Sequence, residues 1–436
     1  ISFPITDMQS AYLLGRNSLF TFGDTSCQIY FEFEIKNLDL KRMEQAWNIL
    51  IQRHPMLRAV FDTITGTQKI ISVVPFYKII QEDLRGKTQS KINQIFYAIR
   101  NKLIYSNFIP NQYPLFSVQV TILPDTQILH ICIDLLIADA MSVSILLEEL
   151  DKLYTNPDLS LPPLEISFEH ALSLLTPSSL KKERDKEYWL EKIKNIPNAP
   201  QLPIIQQTKQ QPHFTRKSFV LNSNIVSQIK NNVSSINSTL SSVILTAYAS
   251  ILSLWSKSSD FTLNITLLHR PDIKGINNII GDFTSSTLLE VHSTPESTFK
   301  EMVHTIQKQL WEAIEHNSFN GVEVIRNIRT YIDEQHASMP VVFTSTLGSQ
   351  KLSTMRSLGT SKFSITKTPQ VWIDCQAIQQ DEEIIINWDC REEIFPEGIL
   401  DNMFETFKNL IISLTNKSTF DKNFTIYLSS NTFKNS

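Results

Sequence analysis

The stretch richest in groups that could do chemistry is Asp134-Leu135-Leu136-Ile137-Ala138-Asp139-Ala140-Met141-Ser142. Its two carboxylates, five residues apart, follow an apolar run at 127–133 that reads as a buried strand. Behind them Ile145, Leu146, Leu150 and Leu153 recur at helical spacing, with Glu148, Glu149, Asp151 and Lys152 assigned to the opposite, solvated face. Asp134 and Asp139 therefore sit on a strand-to-helix turn, where side chains can project into a cleft. The competing reading is structural, with Asp139 as a helix N-cap and Ser142 helping to satisfy free backbone N–H groups. The local pattern alone favours the cap, because capped turns far outnumber active sites.

Two later segments place polar groups at strand ends. Pro340-Val341-Val342-Phe343-Thr344-Ser345 reads as a core strand whose polar end emerges from its sheet. Val371-Trp372-Ile373-Asp374 sets a carboxylate at the end of an apolar stretch. A free Asp, with a pKa of roughly 3.9, is poorly matched to proton transfer near neutrality. Partial burial beside Trp372 would raise it toward the working range, but the local pattern alone favours Asp374 as a salt-bridged strand-end residue. His54, preceding Pro55 at a helix end, reads as a packing or capping residue. A buried Asp139 needs a cationic partner, and Arg58 is expected to supply it.

These residues need a mixed framework to hold them. Ile29, Phe31, Phe33 and Ile35 alternate with polar neighbours as a half-buried strand. Leu40, Met43, Trp47, Leu50 and Ile51 then form a helical stripe behind Asp39, which reads as its N-cap. A second amphipathic helix at 92–103 and an alternating strand at 116–122 complete a layered first lobe. A Pro- and Ser-containing loop, a charged helix at 181–194 and a Pro-rich run to Pro203 read as a connector. The expected division is therefore 1–175 and 176–436, with the connector near 156–203. The second lobe should contain strands at 216–221, 261–268 and 340–345, an apolar helix at 240–254, and helices at 302–314 and 399–414. The polar tail after Asn416 reads as the start of a linker.

Composition narrows the function classes. The 436 residues suit two or three domains, each able to bury a core. Hydrophobic and charged fractions of 42% and 19% are those of a globular protein, and a net charge of −4 with both signs dispersed gives no footprint for nucleic acid. No apolar run reaches membrane-spanning length and no signal peptide is recognisable, so a cytoplasmic location is expected. Cys27, Cys132, Cys375 and Cys390 show neither metal-ligand nor CxxC spacing, and no Gly-rich phosphate loop exists. Opening at Ile1 inside its first motif, the chain reads as a piece of something longer, monomeric when excised.

Several runs recur in one order. They are Phe3-Pro4-Ile5-Thr6 leading to Gln9, Ala11-Tyr12 and Gly15-Arg16; Arg53-His54 to Arg58; the DxxxxDxxS run at Asp134, Asp139 and Ser142; and Tyr188-Trp189 before the Pro-rich connector. Gly281-Asp282-Phe283-Thr284 and Phe319-Asn320-Gly321 follow. Together they resemble the heterocyclization domains of nonribosomal peptide synthetases, a variant of condensation domains, from Phe3 to Pro396. The condensation-domain counterpart of DxxxxDxxS is HHxxxDG: here Asp134 and Leu135 replace the histidines, Ala140 replaces the glycine, and Asp139 is retained. Leu135 moves no proton, which excludes ordinary His-dependent acyl transfer.

The resemblance implies an α/β fold of two chloramphenicol-acetyltransferase-like lobes, a V-shaped pseudodimer with a central tunnel. It implies joining of a carrier-bound acyl or peptidyl thioester to the amine of a carrier-bound Cys, Ser or Thr. Cyclodehydration to a thiazoline or oxazoline follows. Thr344 and Asp374 match the family positions tied to cyclodehydration; Asp134, Asp139, Ser142 and Arg58 are expected as motif or structural residues around the site. No bound cofactor or metal is expected, since substrates would arrive on phosphopantetheine arms. The expected partners are upstream and downstream peptidyl carrier domains and a neighbouring adenylation domain. The alternatives are a plain amide-forming catalyst and a degenerate condensation-like module that only recruits partner proteins.

Overall fold

The computed structural model describes residues 2–16, 25–205, 212–268, 270–292, 294, 296–348 and 357–423. In chain order the first elements are β1 (Ser2–Pro4), α1 (Asp7–Leu14), β2 (Gln28–Ile35), α2 (Leu40–Arg53), β3 (Ala59–Asp62), β4 (Thr67–Ile70), β5 (Ile80–Asp83) and α3 (Gln89–Tyr105). Next come β6 (Phe116–Ile122), β7 (Gln127–Asp134), α4 (Ala140–Thr155), α5 (Phe168–Leu175), α6 (Ser179–Lys192), β8 (Phe214–Leu221), α7 (Ser223–Ser235), α8 (Leu240–Trp255) and β9 (Asp260–Leu267). The last are β10 (Ser285–His292), α9 (Phe299–Glu315), α10 (Gly321–Tyr331), β11 (Val341–Ser345), β12 (Thr360–Lys367), β13 (Ile373–Gln380), β14 (Glu383–Arg391) and α11 (Ile399–Ser413).

Two compact units result. The first comprises Ile1–Thr176, His269–Thr284 and Leu352–Gln370; the second comprises Pro177–Leu268, Ser285–Lys351 and Val371–Ser436. The expected pair of consecutive stretches, 1–175 and 176–436, thus becomes an interleaved division. The reasons are β12, which pairs antiparallel with β2 from more than 300 residues away, and the segment at 269–284, whose Arg270 and Phe283 bond to Asp139.

The first unit is built on a five-stranded sheet of order β12-β2-β7-β6-β5, beside a small β1-β4-β3 sheet. On β7, Leu129, Ile131 and Ile133 are buried on one face, where they join a core with Trp47, Leu50 and Ile51 of α2 and Leu146, Leu147 and Leu150 of α4. His130, Cys132 and Asp134 lie on the other face and are equally buried. The strand is covered on both faces, as its unbroken apolar run predicts. One expectation about α4 fails. Glu149 and Asp151 are only 9% exposed, because Glu149 takes Arg53 Nε on both oxygens at 3.1 Å and Asp151 accepts from the Ser357 hydroxyl.

The second unit carries a six-stranded sheet of order β10-β9-β11-β13-β14-β8, parallel between β9, β11 and β13 and antiparallel elsewhere. Phe343, Cys375, Trp388 and Cys390 point to a buried apolar face. Tyr248 of α8 and Phe404 and Phe407 of α11 meet Trp388 there at ring-centroid distances of 5.3–5.4 Å. Alternation sends Thr344, Asp374, Gln376, Asn387, Asp389, Arg216 and Ser218 to the opposite face, one row of polar groups across four adjacent strands.

The segment after Asn416, expected as linker, begins with a 3-10 turn, Lys417–Asp421, that buries Phe420 against Phe299 at 5.6 Å. Among the described residues no single helix is long and apolar enough to cross a membrane; α7 and α8 satisfy such a test only as a pair bent by 95°.

Candidate active site

In the first unit the β7–α4 turn is closed by a side-chain cap. Asp139 precedes the helix with extended backbone, and its Oδ1 accepts from the Ser142 N–H at 2.7 Å and from Arg270 Nη2 at 2.9 Å. Its Oδ2 accepts from the Phe283 N–H at 3.2 Å. The Ser142 hydroxyl accepts from Gly281 N–H at 3.0 Å and Arg270 Nη2 at 2.8 Å; its own proton has Asp139 Oδ1 at 2.7 Å and the Gly281 carbonyl at 2.8 Å as acceptors. Arg270 also spans the carbonyls of Ile276 and Ile279 at 2.7 Å and lies over the Phe283 ring at 4.6 Å. Asp134, fully buried, is ion-paired to Arg16 and accepts from the Leu136 N–H at 3.0 Å.

The counter-ion of Asp139 is therefore Arg270 and not Arg58. Arg58 spends its guanidinium on the carbonyls of Ile51 at 3.0 Å and Ile71 at 2.6 Å. Its donors stitch the end of α2 to the segment after β4, and the ion pair to Asp139 is made by Arg270. His54 is buried against Glu149, 2.6 Å from Nε2, and burial holds its pKa below the usual value. His269, next to Arg270, lies outside the described residues.

The second unit holds Thr344 and Asp374 together. They lie on adjacent parallel strands, β11 and β13, Thr344 late in one and Asp374 at the start of the other. The Thr344 hydroxyl donates to Asp374 Oδ1 at 3.0 Å, and Gln376 Nε2 donates to Oδ2 at 2.8 Å. Gln376 is on the same face two residues on, and its Nε2 also reaches Asp389 Oδ2 at 3.0 Å. Arg216 clamps Asp389 through Nε and Nη2, both at 2.6 Å, and its Nη2 lies 3.3 Å from Gln376 Oε1. Burial, reinforced by the Asp389 charge, pushes Asp374 up to about 6, although Gln376, Thr344 and Arg216 all pull it down. A carboxyl titrating there can accept a proton near neutrality and return it, as general acid–base chemistry requires.

Sequence reasoning missed Gln376, Asp389, Arg216 and Arg270 as members of these networks. Gln376 was within reach, since residues two apart on a strand share a face. Asp389 and Arg216 arrive through antiparallel pairing of β14 with β13 and β8, a register that local sequence does not carry.

A condensation-domain family model matches residues 3–431. Among curated proteins, Bacitracin synthase 1 of Bacillus licheniformis is 36% identical over 420 residues, 93% of this chain and 8% of that protein. Pyochelin synthetase PchF of Pseudomonas aeruginosa is 31% identical over 420 residues, 94% of this chain and 23% of that protein. The chain thus spans less than a quarter of either relative. Among solved structures, the EpoB NRPS cyclization-docking bidomain from Sorangium cellulosum superposes with a TM-score of 0.89 at 32% identity, covering 97% of this chain and 87% of that one. Fold and matches together define a two-lobed α/β condensation-domain architecture. The chain belongs to the condensation-domain family, in the heterocyclization branch found in nonribosomal peptide synthetases.

Proposed function

We propose that this domain joins a carrier-bound acyl or peptidyl thioester to the amine of a carrier-bound Cys, Ser or Thr, then closes that residue's side chain onto the new amide to give a thiazoline or oxazoline. The observation that carries the reading is the Thr344–Asp374 pair, a buried carboxyl held near pH 6 with both oxygens hydrogen-bonded. The first stage needs little acid–base help, because a thioester is already activated and positioning supplies much of the barrier reduction. The second stage attacks an unreactive amide. A C–S or C–O bond forms at the amide carbon, a C=N bond forms, and the amide oxygen leaves as water carrying the side-chain proton and the amide N–H proton. Asp374 takes the first of these protons and returns it to the departing oxygen, with Thr344 orienting the carboxylate. Asp134, Asp139 and Ser142 hold the first unit's turn and touch no reacting atom. The partners are upstream and downstream carrier domains presenting phosphopantetheine arms, with an adenylation domain loading them.

The two stages should separate by mutation. Asp374→Ala, and less severely Thr344→Ala, should still form the linear amide while slowing ring closure by about 10²–10⁴-fold, the usual worth of a positioned acid–base group. Linear and cyclic products differ by one water, so mass spectrometry of the carrier-bound product reads the split. Normal ring formation by Asp374→Ala would refute the assignment, as would loss of amide formation as complete as that of cyclization.

A further inference from the structure

The retained polar face of the second sheet extends beyond the Thr344–Asp374 pair. Gln376 offers two amide protons and one carbonyl oxygen, and each has a defined use. Its Nε2 donates to Asp374 Oδ2 at 2.8 Å and Asp389 Oδ2 at 3.0 Å, and its Oε1 faces Arg216 Nη2 at 3.3 Å. Turning the amide over would set a carbonyl oxygen against two carboxylates and an NH₂ against a guanidinium, so only one orientation is tolerated. Arg216 in turn grips Asp389 as a two-pronged fork, the most directional of charged pairs. Gln376, Asp374 and Asp389 are all less than 9% exposed, so little solvent screens this chain of contacts.

We infer that Gln376, locked by the Asp389–Arg216 ion pair, is a positioning residue for ring closure that fixes both the orientation and the charge state of Asp374. It acts through Asp374 and touches no reacting atom. The inference rests on the role proposed for Asp374. Its physical content is a balance of opposing influences on one carboxyl. Gln376 and Thr344 stabilise the carboxylate by hydrogen bonding, Arg216 does so by charge, and Asp389 opposes it by like-charge repulsion. The groups behind the sheet, Tyr248 of α8 with Cys375 and Cys390, stay uncharged because burial pushes all three up. The tuning groups are therefore the four on the polar face.

Disturbing the relay at two points should move the charge state in opposite directions. Gln376→Met keeps the volume and removes the donor to Asp374 Oδ2, so the carboxylate is held less well and its pKa rises. Asp389→Asn removes the repelling charge and frees Arg216 to act on Asp374, so the pKa falls. The experiment uses the synthetase module that contains this chain, with the linear amide preloaded on the downstream carrier. The rate of conversion to the ring is followed from pH 5 to 9, with melting temperature as the check on folding.

If Asp374 must be ionised to accept the side-chain proton, the rate falls below its pKa. Gln376→Met should shift this acidic limb up by about one pH unit and Asp389→Asn should shift it down by about one, each unit being a tenfold change in rate on the limb. A merely structural role would lower the rate at every pH and leave the limb in place. That result, with Asp374→Ala inactive in ring closure, overturns the relay and leaves the role of Asp374 standing. Ring closure by Asp374→Ala at the normal rate overturns both. Gln376→Met unpairs no charge and decides the question alone if Asp389→Asn fails to fold.

Discussion

Single residues in this domain show how burial decides what a carboxyl does. Asp139 and Asp374 are both nearly inaccessible, yet Asp139 receives hydrogen bonds from Ser142, Arg270 and Phe283 and caps a helix, whereas Asp374 is pushed up to about 6. Asp282 goes further. Its Oδ1 accepts from the Thr284 N–H at 3.1 Å, its Oδ2 is buried without a hydrogen-bond partner among the described residues, and burial beside the Asp139 charge pushes it up to about 8. The fold therefore favours its protonated form. A carboxyl raised in the folded state disfavours folding progressively as pH climbs from its unfolded value, 3.8, through its folded value, and the penalty is constant above that. Asp282→Asn, which imitates the protonated form, should match the parent near pH 4. It should gain on the parent by up to about 1.4 kcal/mol per pH unit as pH rises to 8. Urea unfolding at pH 5 and pH 8 measures this, and an equal stability difference at the two pH values would contradict it.

At the scale of elements, periodicity was a good guide wherever one face was apolar. The stripe of Met43, Trp47, Leu50 and Ile51, the capping of α2 by Asp39 and of α4 by Asp139, and the burial of α8 all follow from residue spacing. No expectation covered α7, where Val226, Ile229 and Val233 bury one face among largely exposed Ser and Asn residues. Periodicity failed on α4, where Glu149 and Asp151 are buried because their partners lie elsewhere in the chain. Thr344 and Asp374 were found only through family resemblance, because nothing local distinguishes them from ordinary strand residues. Gly281 admits a close approach by Phe168: a Cβ built on Gly281 would lie 2.1 Å from the ring of that side chain. The ring is itself packed edge-on against Phe283 at 5.0 Å and cannot simply withdraw. Gly281→Ala should cost about 1–3 kcal/mol by overpacking. Thermal melts check this, and an unchanged melting temperature would show that the α5 contact yields freely.

For the molecule as a whole, the decisive feature is that the first unit is not a contiguous piece of chain. Its sheet order begins with β12, and its cap at Asp139 depends on Arg270, Gly281 and Phe283, all of which come from beyond residue 268. A fragment ending at residue 176 would therefore contain every strand of the sheet except β12 and would lack the cation that neutralises Asp139. The missing strand exposes the edge of β2, whose unpaired N–H and C=O groups invite association with other chains. The missing arginine leaves a buried carboxylate uncompensated, a loss of about 3–5 kcal/mol where the site stays dry. Either loss is a large fraction of the stability of a typical domain, about 5–15 kcal/mol. Residues 1–176 expressed alone should accordingly aggregate or remain without a cooperative melt, whereas co-expression with residues 177–436 should recover soluble protein containing both pieces. A sharp melting transition and dispersed amide resonances from 1–176 alone would show that the late segments only decorate a unit that folds without them.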